Sequence, residues 1–387
     1  MKKKVFFSAL IALFIGLVSC EKDQNRSIPE GTDNVKINED KTQVTSENVT
    51  NWTQYAVQVA NLLTKDATTL KKAWAEDYKG NGAFAEQFKA PENGKDYTSY
   101  AGCVQQILEG CADIANEVGT AKIGEPRDLW ESGKYTEAVY AVESWYSYHS
   151  IDDYSNNILS IRNAFIGTCN GIEAELSIAS YLKNNNNELY QRTKNEITSA
   201  YNAIKSMAAP FRSHIGNSSV VEAQKACANL ESTLTNQVKP FMIGASEEDL
   251  KPIIENYVDE VVLPTYDLLV EKNIALNTAV RNLANNPSSS SFESAAQAWM
   301  AAREPWEMSE AFLFGPVADL GLDPNMDSWP LDVEALKNIL QSGSFQDLEW
   351  EGEFDEDDET IGAAQNVRGF HTLEFLLFYN GEPREYE

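Results

Sequence analysis

Residues 368–378 read "RGFHTLEFLLF", and this stretch decides how the chain is read. His371 and Glu374 stand three apart at the head of a run containing Leu373, Phe375, Leu376, Leu377 and Phe378. On a helix that spacing puts both side chains on one face. An ionisable pair in so apolar a run is either a satisfied polar spot on a core helix or half of a site completed elsewhere. With only three histidines in the chain, the position of this one is informative.

Outward from this stretch, nearly every long segment repeats at three and four residues, and almost none alternates like a strand. Trp52, Tyr55, Val59, Leu62, Leu70 and Trp74 set the pattern across residues 50–78. Similar patterns fill 97–118, 134–166, 170–183, 187–208 and 218–239. A long helix is expected from about 247 to 284, capped by Ser246. Ser290 with Glu293 reads as the capping box of the next helix, and Pro330 as the first residue of a later one. The fold class is all-α, with helices long enough for bundles. The ordered part is too long for one ordinary core, so two units are expected, 46–245 and 246–387, divided near "KPFMIGAS".

The N-terminus reads as an export signal. "MKKKVFFSALIALFIGLVSC" has a basic head, an apolar run too short to span a membrane, and Cys20 at the cut site. Residues 1–19 are expected to be removed and Cys20 to be lipidated. Residues 20–45 are polar and read as a disordered tether. The expected location is the outer membrane of a Gram-negative envelope, facing the periplasm or the outside.

The whole chain carries a net charge of −28, and loss of Lys2, Lys3 and Lys4 takes it to about −31. Such a chain repels phosphate backbones, which excludes nucleic acid as a partner. The acidic run "QDLEWEGEFDEDDET" (346–360) lacks the spacing of a calcium loop and reads as solvated loop. Cys103, Cys111, Cys169 and Cys227 match no zinc spacing. Cys103 and Cys111 are about 12 Å apart along a helix, too far to bridge.

Three helices carry ionisable residues on faces that packing reserves for apolar groups. In "ESWYSYHSIDDYSNNILSIRNAF" (143–165) the seam Tyr154, Ile158, Ile161, Phe165 extends backwards onto Ser150, Ser147 and Glu143, flanked by Asp153 and Asn157. In "AWMAAREPWEMSEAFLFGP" (298–316), Trp299, Arg303, Trp306, Glu310 and Leu313 share an arc of about 80°, although Pro305 starts or kinks the helix there. The third helix carries His371 and Glu374, and Gly369 at its start permits close approach of backbone or ligand. A lone polar residue on a seam usually faces solvent at a bundle end. Three interruptions in one chain point to convergence on one cleft, because unpaired buried charge is costly. Mixed carboxylate and imidazole groups suit a hard or borderline cation such as iron.

These stretches together resemble the imelysin-like family. Its G-x-H-x-x-E motif is matched by Gly369, His371 and Glu374. A second family stretch is matched by Arg303, Trp306, Ser309, Glu310, Phe314, Gly315 and Pro316, and a third by Asp327, Trp329 and Pro330. A fourth is matched by Glu143, Ser144, Ser147, Asp153, Asn157, Asn163 and Gly167. The order is circularly permuted relative to the family's usual one, which bundles with neighbouring termini tolerate. The resemblance implies two four-helix bundles with the site at their interface. On the residues themselves, His371, Glu374, Glu310 and Glu143 are expected to be metal ligands or to orient them, with Arg303 balancing charge or engaging an anion. Glu143, Ser147, Asp153, Asn157, Arg303, Trp306 and Trp329 would line the ligand site.

The family was first filed among metallopeptidases, and relatives are tied to iron uptake. A zincin needs H-E-x-x-H, which this chain lacks, and His149 and His214 carry no matching carboxylate motif. The expected function is capture of iron, or an iron-bearing chelate, by a lipid-anchored protein working with uptake-system partners. The alternatives are a metal-dependent peptidase and a structural adaptor at the cell surface.

Overall fold

The structure, a computed structural model, describes residues 42–387 apart from Gly94 and Glu351. The leader 1–19, Cys20 and the tether up to residue 41 lie outside the described residues.

The long helices are α1 (Val49–Ala75), α2 (Tyr100–Glu117), α3 (Ser150–Ile166), α4 (Asn187–Lys205), α5 (Ser218–Thr233), α6 (Glu247–Tyr257), α7 (Leu263–Asn285), α8 (Ser289–Glu307) and α9 (Gly369–Leu377). Among the described residues the strands are limited to a pair, Phe378–Tyr379 and Glu382–Pro383, and one bridge between Val44 and Tyr386. The fold is all-α, as the periodicity requires. No helix among these residues is long and apolar enough to cross a membrane.

Helices α2, α3, α4 and α5 pack in a closed ring, each against the next. Helices α1, α7, α8 and α9 close a second ring, and α3 packs on α8 to join the two. Helix α1, expected in the first unit, thus completes the second. Its Trp52 indole donates to the Leu376 carbonyl at 2.8 Å and stacks on Phe375. Its Tyr55 hydroxyl donates to the Val367 carbonyl at 2.6 Å. Periodicity reveals which face of a helix is buried, but not against which partner.

Helix α9 is buried on every side. Phe370, Leu373, Phe375, Leu376 and Leu377 are all inaccessible, as are His371, Thr372 and Glu374. A helix buried all round belongs at the centre of a core, and each fully buried Leu or Phe contributes about 1.5–3 kcal/mol. Gly369 opens it at φ +86°, and a Cβ there would lie 2.6 Å from the Met326 carbonyl oxygen. The close approach anticipated at this glycine is made by backbone.

Several boundaries differ from expectation, each through local hydrogen bonding. The helix expected from 143 begins at Ser150, because residues 143–149 turn through left-handed positions at Ser144 and Tyr148. Helix α8 runs through Pro305 and is capped by a Ser288–Ser291 box, not by Ser290 and Glu293. The helix expected at Pro330 begins at Val333, capped by Asp332. The rod expected over 247–284 is interrupted by a π-turn, Val258–Val262. Val44, placed in the tether, is buried, and Arg384 donates to the Thr42 carbonyl at 3.0 Å, so the two ends of the described chain lie together. Residues 355–360 of the acidic run are exposed. The four described cysteines are free thiols.

Candidate functional site

The site lies where α3 and α8 meet at the junction of the two rings. Its hub is Arg303 on α8, fully buried. Its Nε donates to Asp153 at 3.2 Å, and its Nη2 reaches Glu143 at 2.9 Å and Glu307 at 2.6 Å. Its Nη1 donates to Asp327. All three guanidinium nitrogens are thereby taken by carboxylates. The residue balances charge and has no free edge for an external anion.

Glu143, Ser144 and Ser147 come from the irregular turn before α3. The turn is held by its own side chains: Ser150 Oγ donates to the Glu143 carbonyl at 2.6 Å, and Ser144 Oγ donates to Asp153. Lys122 arrives at the end of a π-turn, Val118–Lys122, that follows α2. Its Nζ pairs with Glu143 at 3.1 Å. Asp327 ends a short helix, Leu322–Asp327, and accepts from the Trp306 indole at 2.6 Å.

His371 is gripped at both ring nitrogens. Nδ1 lies 3.1 Å from Glu374, while Nε2 lies 3.2 Å from Glu143 and 3.1 Å from Asp327. Glu374 is itself fixed, since Ser147 donates to it from its backbone N–H at 2.8 Å and its hydroxyl at 2.7 Å. The Trp329 ring packs edge-on to the imidazole, 4.8 Å between centroids.

The electrostatics are unbalanced. Eight carboxylates (Glu117, Glu143, Asp153, Glu307, Glu310, Asp323, Asp327, Glu374) share three cations, Lys122, Arg303 and His371. Burial and Arg303 oppose charge on His371, yet its bonds to Asp327, Glu143 and Glu374 hold its pKa well above the ordinary value. Burial likewise opposes ionisation of Glu143, but Lys122 and His371 win and bring it down to about 2. Asp327 is also lowered, because Arg303 and His371 overcome its burial. Other acids move the other way, burial outweighing even the Arg303 contact of Glu307. Burial, reinforced by neighbouring acids, raises Glu307 and Glu310 far above the usual carboxylate range and Asp323 to about 7. This splitting of acids into lowered and raised groups marks functional clusters.

Two sets of donor atoms are close enough to share one ion. Glu143, Asp327 and His371 form one, and Glu307, Glu310 and Asp327 the other, with donor atoms within 4.8 Å in each. The structure therefore brings Glu143, Asp153, Asn157, Arg303, Trp306, Trp329, His371 and Glu374 into one connected cluster. It places Glu374 behind the imidazole, and Glu310 in the set without His371. Asn157 touches the cluster through Glu307, to which its amide donates at 2.6 Å.

Sequence reasoning passed over Lys122 and Glu307 altogether, and left Asp327 and Ser144 as motif matches without a role. Glu307 was findable, being one turn beyond Arg303. Lys122 carried no signal, since a π-turn shifts the register of its helix.

The sequence model of a family described as imelysin matches residues 31–237 and 262–386. This chain belongs to the imelysin family. An imelysin peptidase from Bacteroides ovatus, known from a crystal structure, is 51% identical to this imelysin, with a TM-score of 0.87 over 90% of this chain and 99% of that one. Iron-regulated protein A of Synechococcus elongatus is 31% identical over 169 residues, 44% of this chain. The match spans 39% of that curated relative's own length.

Proposed function

We propose that this imelysin is a cell-envelope lipoprotein that captures iron, as the ion or as a chelate, in the cleft around His371. One observation carries the reading: His371 Nε2, Glu143 and Asp327 present donor atoms within 4.8 Å of one another, inside a cluster whose acids outnumber its cations. One imidazole and two carboxylates suit iron. Glu374 on Nδ1 is the arrangement that orients a metal-binding histidine, leaving Nε2 to face the ion. Glu143, Asp327 and His371 would hold the ion, Glu374 and Ser147 would orient the ring, and Arg303 would balance charge. The likeness to iron-regulated protein A supports an association with iron. A lipid on Cys20 would hold the protein at the envelope, beside uptake-system partners.

The test is elemental analysis and iron titration of the protein purified without a histidine tag. About one iron per chain, lost in His371→Ala, is expected. Equal iron in both proteins ends the reading.

The name of the Bacteroides ovatus relative favours a second reading, a metal-dependent peptidase. A hydrolytic metal keeps an open coordination position for water, whereas the His371 ring is fully buried here. Chelator-sensitive cleavage of an unfolded polypeptide, abolished by His371→Ala, would establish the peptidase over the binding protein.

A further inference from the structure

Beside the His371 group lies a set of oxygen donors with different chemistry. Glu307 ends α8, Glu310 opens the 3₁₀ turn Glu310–Phe312, and Asp327 lies against both, with donor atoms of the three within 4.8 Å of one another. The set contains no imidazole and no thiolate.

Glu310 is the side chain that decides how this set is read. The residue is 8% exposed. Among the described residues no hydrogen-bond donor reaches its carboxylate and no cation lies within ion-pair distance of it, Lys122 acting on it only through space. Arg303 serves the other two members, reaching Glu307 at 2.6 Å and bonding Asp327, but makes no bond to Glu310. A largely buried carboxylate with no direct contact to a donor or cation is costly, and chains keep one where something external completes it.

The backbone holds Glu310 in this position. The N–H of Ala311 donates to Ser160 Oγ on α3 at 3.1 Å. On the other side Gly110 of α2 packs so tightly that a Cβ there would lie 2.2 Å from the Ala311 carbonyl oxygen. The turn is clamped between two helices of one ring, which preorganises the acid beside Glu307 and Asp327.

We propose that Glu307, Glu310 and Asp327 form a second cation site, for a hard, oxygen-seeking divalent ion of the calcium type. Three carboxylates without nitrogen or sulfur select such an ion over softer metals. Each oxygen already engaged by Arg303, Asn157 or Trp306 retains a second lone pair for it. Asp323, one turn before Asp327, places a further carboxyl beside the site. Asp327 belongs to both donor sets, so an ion in one position alters affinity at the other, reciprocally. The site stands whether or not iron binds His371.

The experiment is titration of the tag-free full chain with terbium, a luminescent substitute for calcium. Trp306, whose indole donates to Asp327 at 2.6 Å, serves as the antenna. Saturable tryptophan-sensitised emission, displaced by excess calcium, is expected. It should weaken at least ~10-fold in Glu310→Gln and stay within ~3-fold of wild type in His371→Ala. Glu310→Gln preserves shape and breaks no hydrogen bond or ion pair, so in chelator it should melt no lower than wild type, while calcium should no longer raise its melting temperature. Equal terbium affinity in wild type and Glu310→Gln overturns the site, as do equal calcium-induced melting shifts. Loss of emission in His371→Ala as complete as in Glu310→Gln also overturns it, because the two donor sets would then be one.

Discussion

His371 and Glu143, 228 residues apart in the chain, meet at 3.2 Å through Nε2 and a carboxylate oxygen. Glu143 also receives Arg303 and Lys122, at 2.9 and 3.1 Å. It joins Lys122 of the first ring to Arg303 and His371 of the second. Glu143→Gln keeps the shape and removes the charge, leaving buried cations short of a partner, at a cost of about 3–5 kcal/mol. Lys122→Met added to it should cost less than the two single changes summed, because the pair is one interaction. Denaturant unfolding of all four proteins gives the coupling, and strict additivity would show that Lys122 and Glu143 act independently.

Ser147→Ala removes one of the two bonds that fix Glu374 and leaves the backbone donor in place. The expected stability loss is about 1 kcal/mol. If Glu374 orients a metal-binding imidazole, iron affinity should drop by roughly 10–100-fold, well beyond what the stability change explains. An unchanged iron titration would separate Glu374 from metal binding.

Stability of the metal-free protein should fall as pH rises from about 5 to 8. Burial raises Asp323 to about 7, with Glu307 and Glu310 raised in the same direction. A carboxyl with a raised folded pKa binds its proton more tightly when folded. Its stabilisation is therefore complete below the unfolded pKa, near 4, and is lost as pH climbs through the folded one. His371, also raised, has the same sign, its contribution being present below about 6.5 and lost above its folded value. Glu143 has the opposite sign, and its contribution disappears as pH falls from about 4.3 through its folded value. Asp323→Asn should flatten the decline by on the order of 1 kcal/mol. A melting temperature that climbs steadily to pH 8 would refute the sign.

Two glycine substitutions should differ in direction. Gly369→Ala places a Cβ on a left-handed residue, 2.6 Å from the Met326 carbonyl oxygen, so a loss of at least about 2 kcal/mol is expected. Gly362→Ala, inside the helix Glu359–Gln365 with nothing near the added Cβ, should gain about 0.5–1 kcal/mol. Thermal melts of the two variants beside wild type provide the comparison.

If Cys20 carries the lipid proposed above, Cys20→Ala should move the protein from the membrane pellet to the soluble envelope fraction and end incorporation of labelled fatty acid. Persistence in the pellet would assign membrane association to some other contact.

Local pattern in the sequence was enough for the helices and for the misplaced charges. The steps of Trp52, Tyr55 and Val59 mark a helix face by themselves, and Arg303 with Glu307 lies on one because the α-helix repeats every 3.6 residues. His371 and Glu374 read as a pair for the same reason. Tertiary packing decided which helices became neighbours. It put α1 with α7 and α9, since apolar faces are interchangeable and no residue encodes its partner. It also decided which acid meets which base. Lys122 entered the cluster through a π-turn and Glu143 through a left-handed turn, irregularities that no periodic pattern announces. Asp327 reached His371 only because Gly369 lets two backbones touch. The sequence determined which charges would be expensive to bury, and the fold determined that they were buried together.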